Sequence, residues 1–229
     1  MRLYRIRTME ANELESWQKL IRVMGHEIMN SITPIISLSE TLGNRNVDEN
    51  SYGYMQHGMQ VIHRRSKGLL EFVENYRRIT RIPAPVKEIV SLNALLDGIA
   101  ELFPQNYIHL AYTPEDVLLK VDRTQMEQVL INLIKNAIEA CGRIEKPEIT
   151  IQCHIADLLY ISVSDNGPGI LPQVMEQIFI PFFTTKEGGS GIGLSLCRRI
   201  MHLHGGNITA SSAPGEGSCF TISVKTHKI

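Results

Sequence analysis

The run Arg81-Ile82-Pro83-Ala84-Pro85 splits this chain into two parts of different periodicity, and that split constrains the fold more than any other feature. Two prolines within three residues remove backbone donors and fix φ, so no helix continues through them. Before the break, apolar residues recur at helical spacing. After it come short alternating runs separated by Gly- and Pro-rich turns. The 229 residues are enough for two ordinary domains, and the break places them at 1–82 and 83–229.

In the first part, Leu14, Ile21, Ile28, Ile35 and Leu42 lie seven apart, and Trp17, Met24 and Leu38 form a second set with Ser31 as its polar exception. This heptad-like stripe predicts one helix over about 11–43, stopped by Gly43-Asn44. The polar stretch 44–53 reads as a loop. A second helix is expected over about 54–80, with Met55, Ile62, Leu69 and Tyr76 in one row and Met59, Ser66 and Val73 in the other. Two long helices joined by a short loop make an antiparallel hairpin. One hairpin cannot bury both stripes, so two hairpins are expected to pair as a homodimeric four-helix bundle. The alternative is that the stripes pack on the second domain.

The second part predicts a two-layer α/β sandwich, a sheet with helices on one face. Helices are expected near 92–103, 123–141 and 191–203. Strands are expected near 107–112, 116–121, 148–155, 158–164, 206–212 and 217–225. Asp122 is placed to cap the helix from 123, with Gln125 as its capping-box partner. The segment 166–190 is rich in Gly, Pro and Thr and reads as variable.

Bulk properties exclude several classes. A net charge of −1 and 6% aromatic residues give no electrostatic or stacking signature of a nucleic-acid partner. Cys141, Cys153, Cys197 and Cys219 have no metal-ligand spacing and read as free thiols in a reducing compartment. No run approaches the ~20 apolar residues of a membrane span, and no signal peptide is evident.

The chemistry-bearing residues fall in two groups. His26 sits between Met24 and Ile28 of the apolar stripe and so points away from it, toward solvent. A solvated surface histidine is the plain alternative. Glu27 can take the imidazole proton and leave a nucleophilic nitrogen. Asn30, one turn on, could position a water. Pro34 reads either as a tolerated kink or as a hinge. In the second group, Asn132 and Asn136 are four apart on one helix face, and a carboxamide oxygen there suits Mg2+. Asp165 ends an apolar strand and could accept a hydrogen bond from an adenine amine, with Gly167 and Gly169 allowing close approach; a turn cap is its plain alternative. Gly188, Gly189, Gly191 and Gly193 lead into a helix whose exposed amides suit phosphate, although no P-loop Gly-Lys-Ser/Thr follows. Lys186 precedes them and could meet the terminal phosphates, and Ser218 is assigned to the base side. Phe179, Phe182 and Phe183 read as packing residues.

Taken together, these motifs resemble the catalytic core of a bacterial sensor histidine kinase, a dimerisation and histidine-phosphotransfer hairpin followed by a GHKL-type ATP-binding domain. His26-Glu27 is similar to the phosphoacceptor motif, and Asn132 through Asn136, with Lys135 between them, to the asparagine motif. Asp165-Asn166-Gly167-Pro168-Gly169 is similar to the adenine-binding motif, Phe179 to Phe183 to the aromatic motif, and Gly189-Ser190-Gly191-Ile192-Gly193 to the last glycine motif. The resemblance implies that His26 accepts the γ-phosphoryl group of ATP with Glu27 as base. It implies that Asn136 holds Mg2+ with Asn132 in support, that Asp165 reads adenine, and that Lys186 and the glycines contact phosphates. It also implies a response-regulator partner, phosphatase activity through Asn30, and a core facing the cytoplasm, with any sensor or membrane anchor before Met1.

Two departures, Met29-Asn30-Ser31-Ile32-Thr33-Pro34 after the acceptor and Ile138-Glu139-Ala140 closing the asparagine motif, resemble nitrogen-regulatory sensors. A nucleotide-gated regulator phosphatase and a non-kinase GHKL ATPase stay open as alternatives. Asn132 stands where such an ATPase would carry its catalytic acid, which disfavours the latter.

Overall fold

The computed structural model describes Gly25 and residues 28–44, 52–111, 117–186 and 189–227. Leu14, Trp17, Ile21, Met24, His26, Glu27 and Gly188 lie outside the described residues. The chain forms two compact units, one of Met1–Thr80 with Ile180–Phe182 and one of Arg81–Phe179 with Phe183–Ile229.

The first unit contains a helical hairpin. Helix α1 covers residues 28–43, running through Pro34, and ends in a turn at Asn44, whose N–H donates to Glu40 O at 3.1 Å. Helix α2 is Tyr52–Thr80. Ile28, Ile35, Leu38 and Leu42 of α1 are half-buried, as are Met55, Ile62, Leu69 and Tyr76 of α2. The helices come close where the buried Gly58 meets Leu42: a Cβ there would lie 3.0 Å from Leu42 Cδ1. The second row differs, since Met59 is 63% and Val73 41% exposed.

In the second unit, strands β2 (Ile108–Ala111), β4 (Ile149–Ile155), β5 (Leu159–Asp165), β6 (Asn207–Ser212) and β7 (Ser218–Val224) form one sheet in the order β2-β4-β5-β7-β6. Only β2 and β4 pair in parallel. The alternation of β5 and β7 sends Leu159, Ile161, Val163, Phe220, Ile222 and Val224 into the core. The opposite face carries hydroxyls, with Ser162 and Thr221 bonded at 2.9 Å. Helices α3 (Leu92–Leu102), α4 (Arg123–Ala140) and α6 (Gly193–Leu203) make the second layer, α4 packing on α3, α6 and the sheet. Leu92, Leu95, Leu96, Met126, Val129, Leu130, Leu133, Ile134, Cys197 and Ile200 fill the space between the layers, each at most 1% exposed.

Two expectations are corrected, and the stretch 166–190 gains a short helix. The run near 116–121 becomes β3 (Leu118–Val121), which does not join the main sheet but pairs antiparallel with β1 (Glu88–Ser91), a strand the sequence reading left unassigned. The short α5 (Pro172–Met175) interrupts the stretch read as variable. The capping box at Asp122 is only half formed. Asp122 Oδ1 accepts from Gln125 N at 3.1 Å, but Gln125 Nε2 donates instead to Pro83 O at 3.0 Å. The Asp122 N–H that a box partner would take donates to His204 Nε2 at 3.0 Å. Tertiary partners win here because they also fix the post-proline segment, whose Val86 N donates to Asp122 Oδ2 at 2.9 Å.

Candidate functional site

The core-facing rows of β5 and β7 end together in polar residues. Leu159-Ile161-Val163 is continued by Asp165, and Val224-Ile222-Phe220 by Ser218, and the two end residues are partners in the ladder. Each is only 8% exposed. A carboxylate and a hydroxyl thus replace hydrocarbon where the core opens into a cavity of about 780 Å³.

The loop after Asp165 is clamped on both sides. Asp165 Oδ1 accepts the Gly167 N–H at 2.9 Å. Asn166 Oδ1 accepts from Glu148 N at 2.9 Å and its Nδ2 donates to Lys146 O at 2.8 Å, tying the loop to the segment after α4. On the other side, Ile170 N donates to Ser212 Oγ and Gly215 N to Pro168 O, both at 2.8 Å. Gly169 has φ +73, and a Cβ there would lie 2.0 Å from Ala213 O. Gly217, φ +79, is as constrained against Asp165 O, at 1.9 Å. Burial pushes the Asp165 carboxyl above the usual carboxylate range, opposed by amides of Gly167 and Ser218 and by the Lys186 charge.

Helix α4 supplies one wall. Its buried stripe of Met126, Val129, Leu130, Leu133, Ile134 and Ala137 fixes the phase, and Asn132, Lys135, Asn136 and Glu139 then line the cavity, with Arg143 joining them from the 3-10 turn Cys141–Arg143 that follows. The opposite wall is the start of α6. Gly189, Gly191, Ile192, Gly193 and Leu194 line it, and α6 has no side-chain cap, so its first amides are available to an anion. A Cβ on Gly193 would lie 3.8 Å from Asn132 Oδ1 and 4.0 Å from Asn136 Nδ2, so the helix start and the two asparagines face each other. Phe183, Thr184, Thr185 and Lys186 form part of the rim.

Lys186 reaches across the cavity. Its Nζ donates to Glu139 Oε2 at 2.5 Å and to Asn136 Oδ1 at 3.3 Å. Two oxygens on one helix face therefore converge on a cation, which fits the oxygen preference of Mg2+. Among the described residues no group of three or more His, Cys, Asp or Glu could hold a metal alone, so phosphate oxygens and water would have to complete the shell.

The cavity brings together Asn132, Lys135, Asn136, Asp165, Gly169, Lys186, Gly189, Gly191, Gly193 and Ser218. Gly167 is not in its lining; it acts through its bond to Asp165. Asn30 is exposed on α1. The acceptor candidates His26 and Glu27 are outside the described residues. Sequence reasoning gave no role to Glu139, which continues the Asn132–Asn136 stripe by one turn, to Arg143 in the 3-10 turn after α4, or to Ser212, which no local motif marks.

The family described as Histidine kinase-, DNA gyrase B-, and HSP90-like ATPase matches residues 121–228. The sensor histidine kinase ZraS of Salmonella typhimurium is 31% identical over 205 residues, covering 87% of this chain and 43% of that protein. The chain thus spans less than half the length of this curated relative. The solved catalytic domain of the histidine kinase ThkA is 36% identical with a TM-score of 0.53, covering 60% of this chain and 95% of that one. A structure of ThkA in complex with the response regulator protein TrrA matches 94% of this chain and 64% of that one, at 28% identity and a TM-score of 0.63. By these likenesses, the shared sandwich and the motifs around its cavity, the chain belongs to the sensor histidine kinases and carries the catalytic core of a bacterial member of that family.

Proposed function

We propose that this chain binds Mg-ATP in the cavity between α4 and α6 and transfers the γ-phosphoryl group to His26, for passage to an aspartate of a response regulator. The observation that carries the reading is the cavity: a buried carboxylate at its floor, two carboxamides on one wall and uncapped helix amides on the other. Asp165 accepts from the adenine amine, with Ser218 beside it. Lys135, Lys186 and the glycines Gly189, Gly191 and Gly193 take the phosphates, and Asn136, supported by Asn132, holds the metal. Mg2+, when bound, supplies charge neutralisation at the phosphates. Phosphoryl transfer mainly needs positioning and charge stabilisation. A nitrogen of His26 attacks the γ-phosphorus, the bond to the ADP oxygen breaks, and Glu27 accepts the imidazole proton.

The domain division is taken at 1–82 and 83–229. Exposed Met29, Ile36, Met59, Leu70 and Val73 on the hairpin, between 41% and 63% accessible, support burial against a second copy in a four-helix bundle. Partnership with a response regulator is supported by the likeness to the ThkA complex. The Met29–Pro34 and Ile138–Ala140 motifs support a nitrogen-sensor-like subgroup. No described helix is long and apolar enough to cross a membrane, in keeping with a core that works at the cytoplasmic side.

The test is labelling: with Mg2+ and γ-labelled ATP the chain should acquire acid-labile, alkali-stable phosphate, and its absence despite nucleotide binding would favour the phosphatase alternative. Asn30 is exposed and stands four residues after His26 in the sequence, so Asn30→Ala should slow loss of phosphate from a phosphorylated receiver domain roughly a hundredfold or more, the usual range for a positioned acid–base group. Autophosphorylation should change less. Equal effects on both rates would remove the assignment.

A further inference from the structure

Glu139 and Asn136 are three apart on α4, so their side chains share a face, and both line the cavity. The Lys186 ammonium sits where their oxygens converge, 2.5 Å from Glu139 Oε2 and 3.3 Å from Asn136 Oδ1. One carboxylate oxygen and one amide oxygen, with phosphate and water filling the remaining positions, is also the donor set a hard divalent cation takes. The Lys186 and Glu139 side chains keep 43% and 57% of their surface exposed, so packing locks neither. An ion pair of that exposure is weak and exchangeable.

We propose that Glu139 is a metal-facing residue of the nucleotide site, and that Lys186 and a divalent cation compete for the Glu139–Asn136 oxygen pair. The proposal rests on the nucleotide-binding reading above and adds to it a role for Glu139 and an order of events. Before a cation arrives, Glu139 retains Lys186 and its negative charge opposes the polyphosphate. A cation brought with the nucleotide displaces the ammonium, is held in part by the carboxylate, and releases Lys186 to the phosphates. The exchange involves no covalent change: one cation leaves the oxygen pair as another enters. Glu139 thereby makes the cavity selective for the metal complex of the nucleotide over the bare anion.

The experiment measures ATP affinity by calorimetry in excess Mg2+ and in EDTA, for wild type, Glu139→Gln and Lys186→Met; the quantity read is the ratio of the two affinities. Glu139→Gln should lower this Mg2+ coupling roughly tenfold, within the usual range of site–site coupling, by strengthening binding in EDTA and weakening it in Mg2+. Lys186→Met should weaken binding in both conditions yet raise the coupling, because the carboxylate then faces the phosphates uncompensated. Thermal unfolding of both variants should match wild type, since both side chains are exposed. A coupling unchanged in Glu139→Gln, or lowered in Lys186→Met, overturns the proposal and leaves the nucleotide-binding reading standing. A wild-type chain that binds ATP in neither condition overturns both.

Discussion

Asp165→Asn is expected to weaken ATP binding at least about a hundredfold, the order of loss when a site built around one hydrogen-bond acceptor is given a donor. The carboxylate sits at the end of a core-facing row, 8% exposed, with Oδ1 held by the Gly167 amide. Asparagine has nearly the same shape and its oxygen can keep that bond. Its NH2 group then faces the adenine amine, donor against donor. The fold should survive, and the pH response separates binding from folding. Burial raises the Asp165 pKa above its unfolded value. A group shifted in that direction contributes stability that is fully present below the unfolded pKa and is lost as pH rises through the folded pKa. At neutral pH the charged carboxylate therefore works against folding, and the asparagine variant lacks that charge. Without nucleotide it should melt no lower than wild type at pH 7, and its stability should fall less as pH rises through the acid range. Thermal unfolding from pH 4 to 8, with and without ATP, reads both effects. Unchanged affinity would remove Asp165 from the site.

Gly169→Ala should fail for a different reason. A Cβ there would lie 2.0 Å from Ala213 O, on a backbone with φ +73. The left-handed conformation costs a non-glycine residue roughly 1–2 kcal/mol. Relieving the overlap would also pull the loop from the β6–β7 turn, straining the Gly215–Pro168 and Ile170–Ser212 hydrogen bonds. A loss of roughly 3 kcal/mol is expected, in the range of backbone strain combined with broken contacts. For a unit of this size that lowers the melting temperature by roughly 6–12 °C. Nucleotide binding should fall too, because the same loop carries the amide that orients Asp165. Gly215→Ala is the control: φ is +83, but nothing lies within 4 Å of the added Cβ. It should show only the conformational penalty. Equal losses in the two variants would show that the close approach to Ala213 does not matter.

The legible parts of the fold were those encoded over a long run of residues. The seven-residue spacing of Met55, Ile62, Leu69 and Tyr76 was enough to place α2, the Asp122 cap placed the start of α4, and the four-residue spacing of Asn132 and Asn136 put them on one face of it. Asp165 was legible because it closes an alternating strand just before a glycine turn. What escaped depended on partners distant in sequence. Strand β1 is four residues long, and its identity lies in pairing with β3. Gln125 carries a capping-box signature, yet Pro83, 42 residues earlier, takes its amide. Glu139 closes the asparagine motif without a role of its own in the sequence; its partner, Lys186, lies 47 residues on.

The central claim is that His26 is the phosphoacceptor, and the most direct measurement is incubation with Mg2+ and γ-labelled ATP, comparing wild type with His26→Gln. Acid-labile, alkali-stable label on wild type alone, with ATP affinity equal in both, is the expected result. Equal label on both proteins would place the phosphoryl group elsewhere and contradict the assignment.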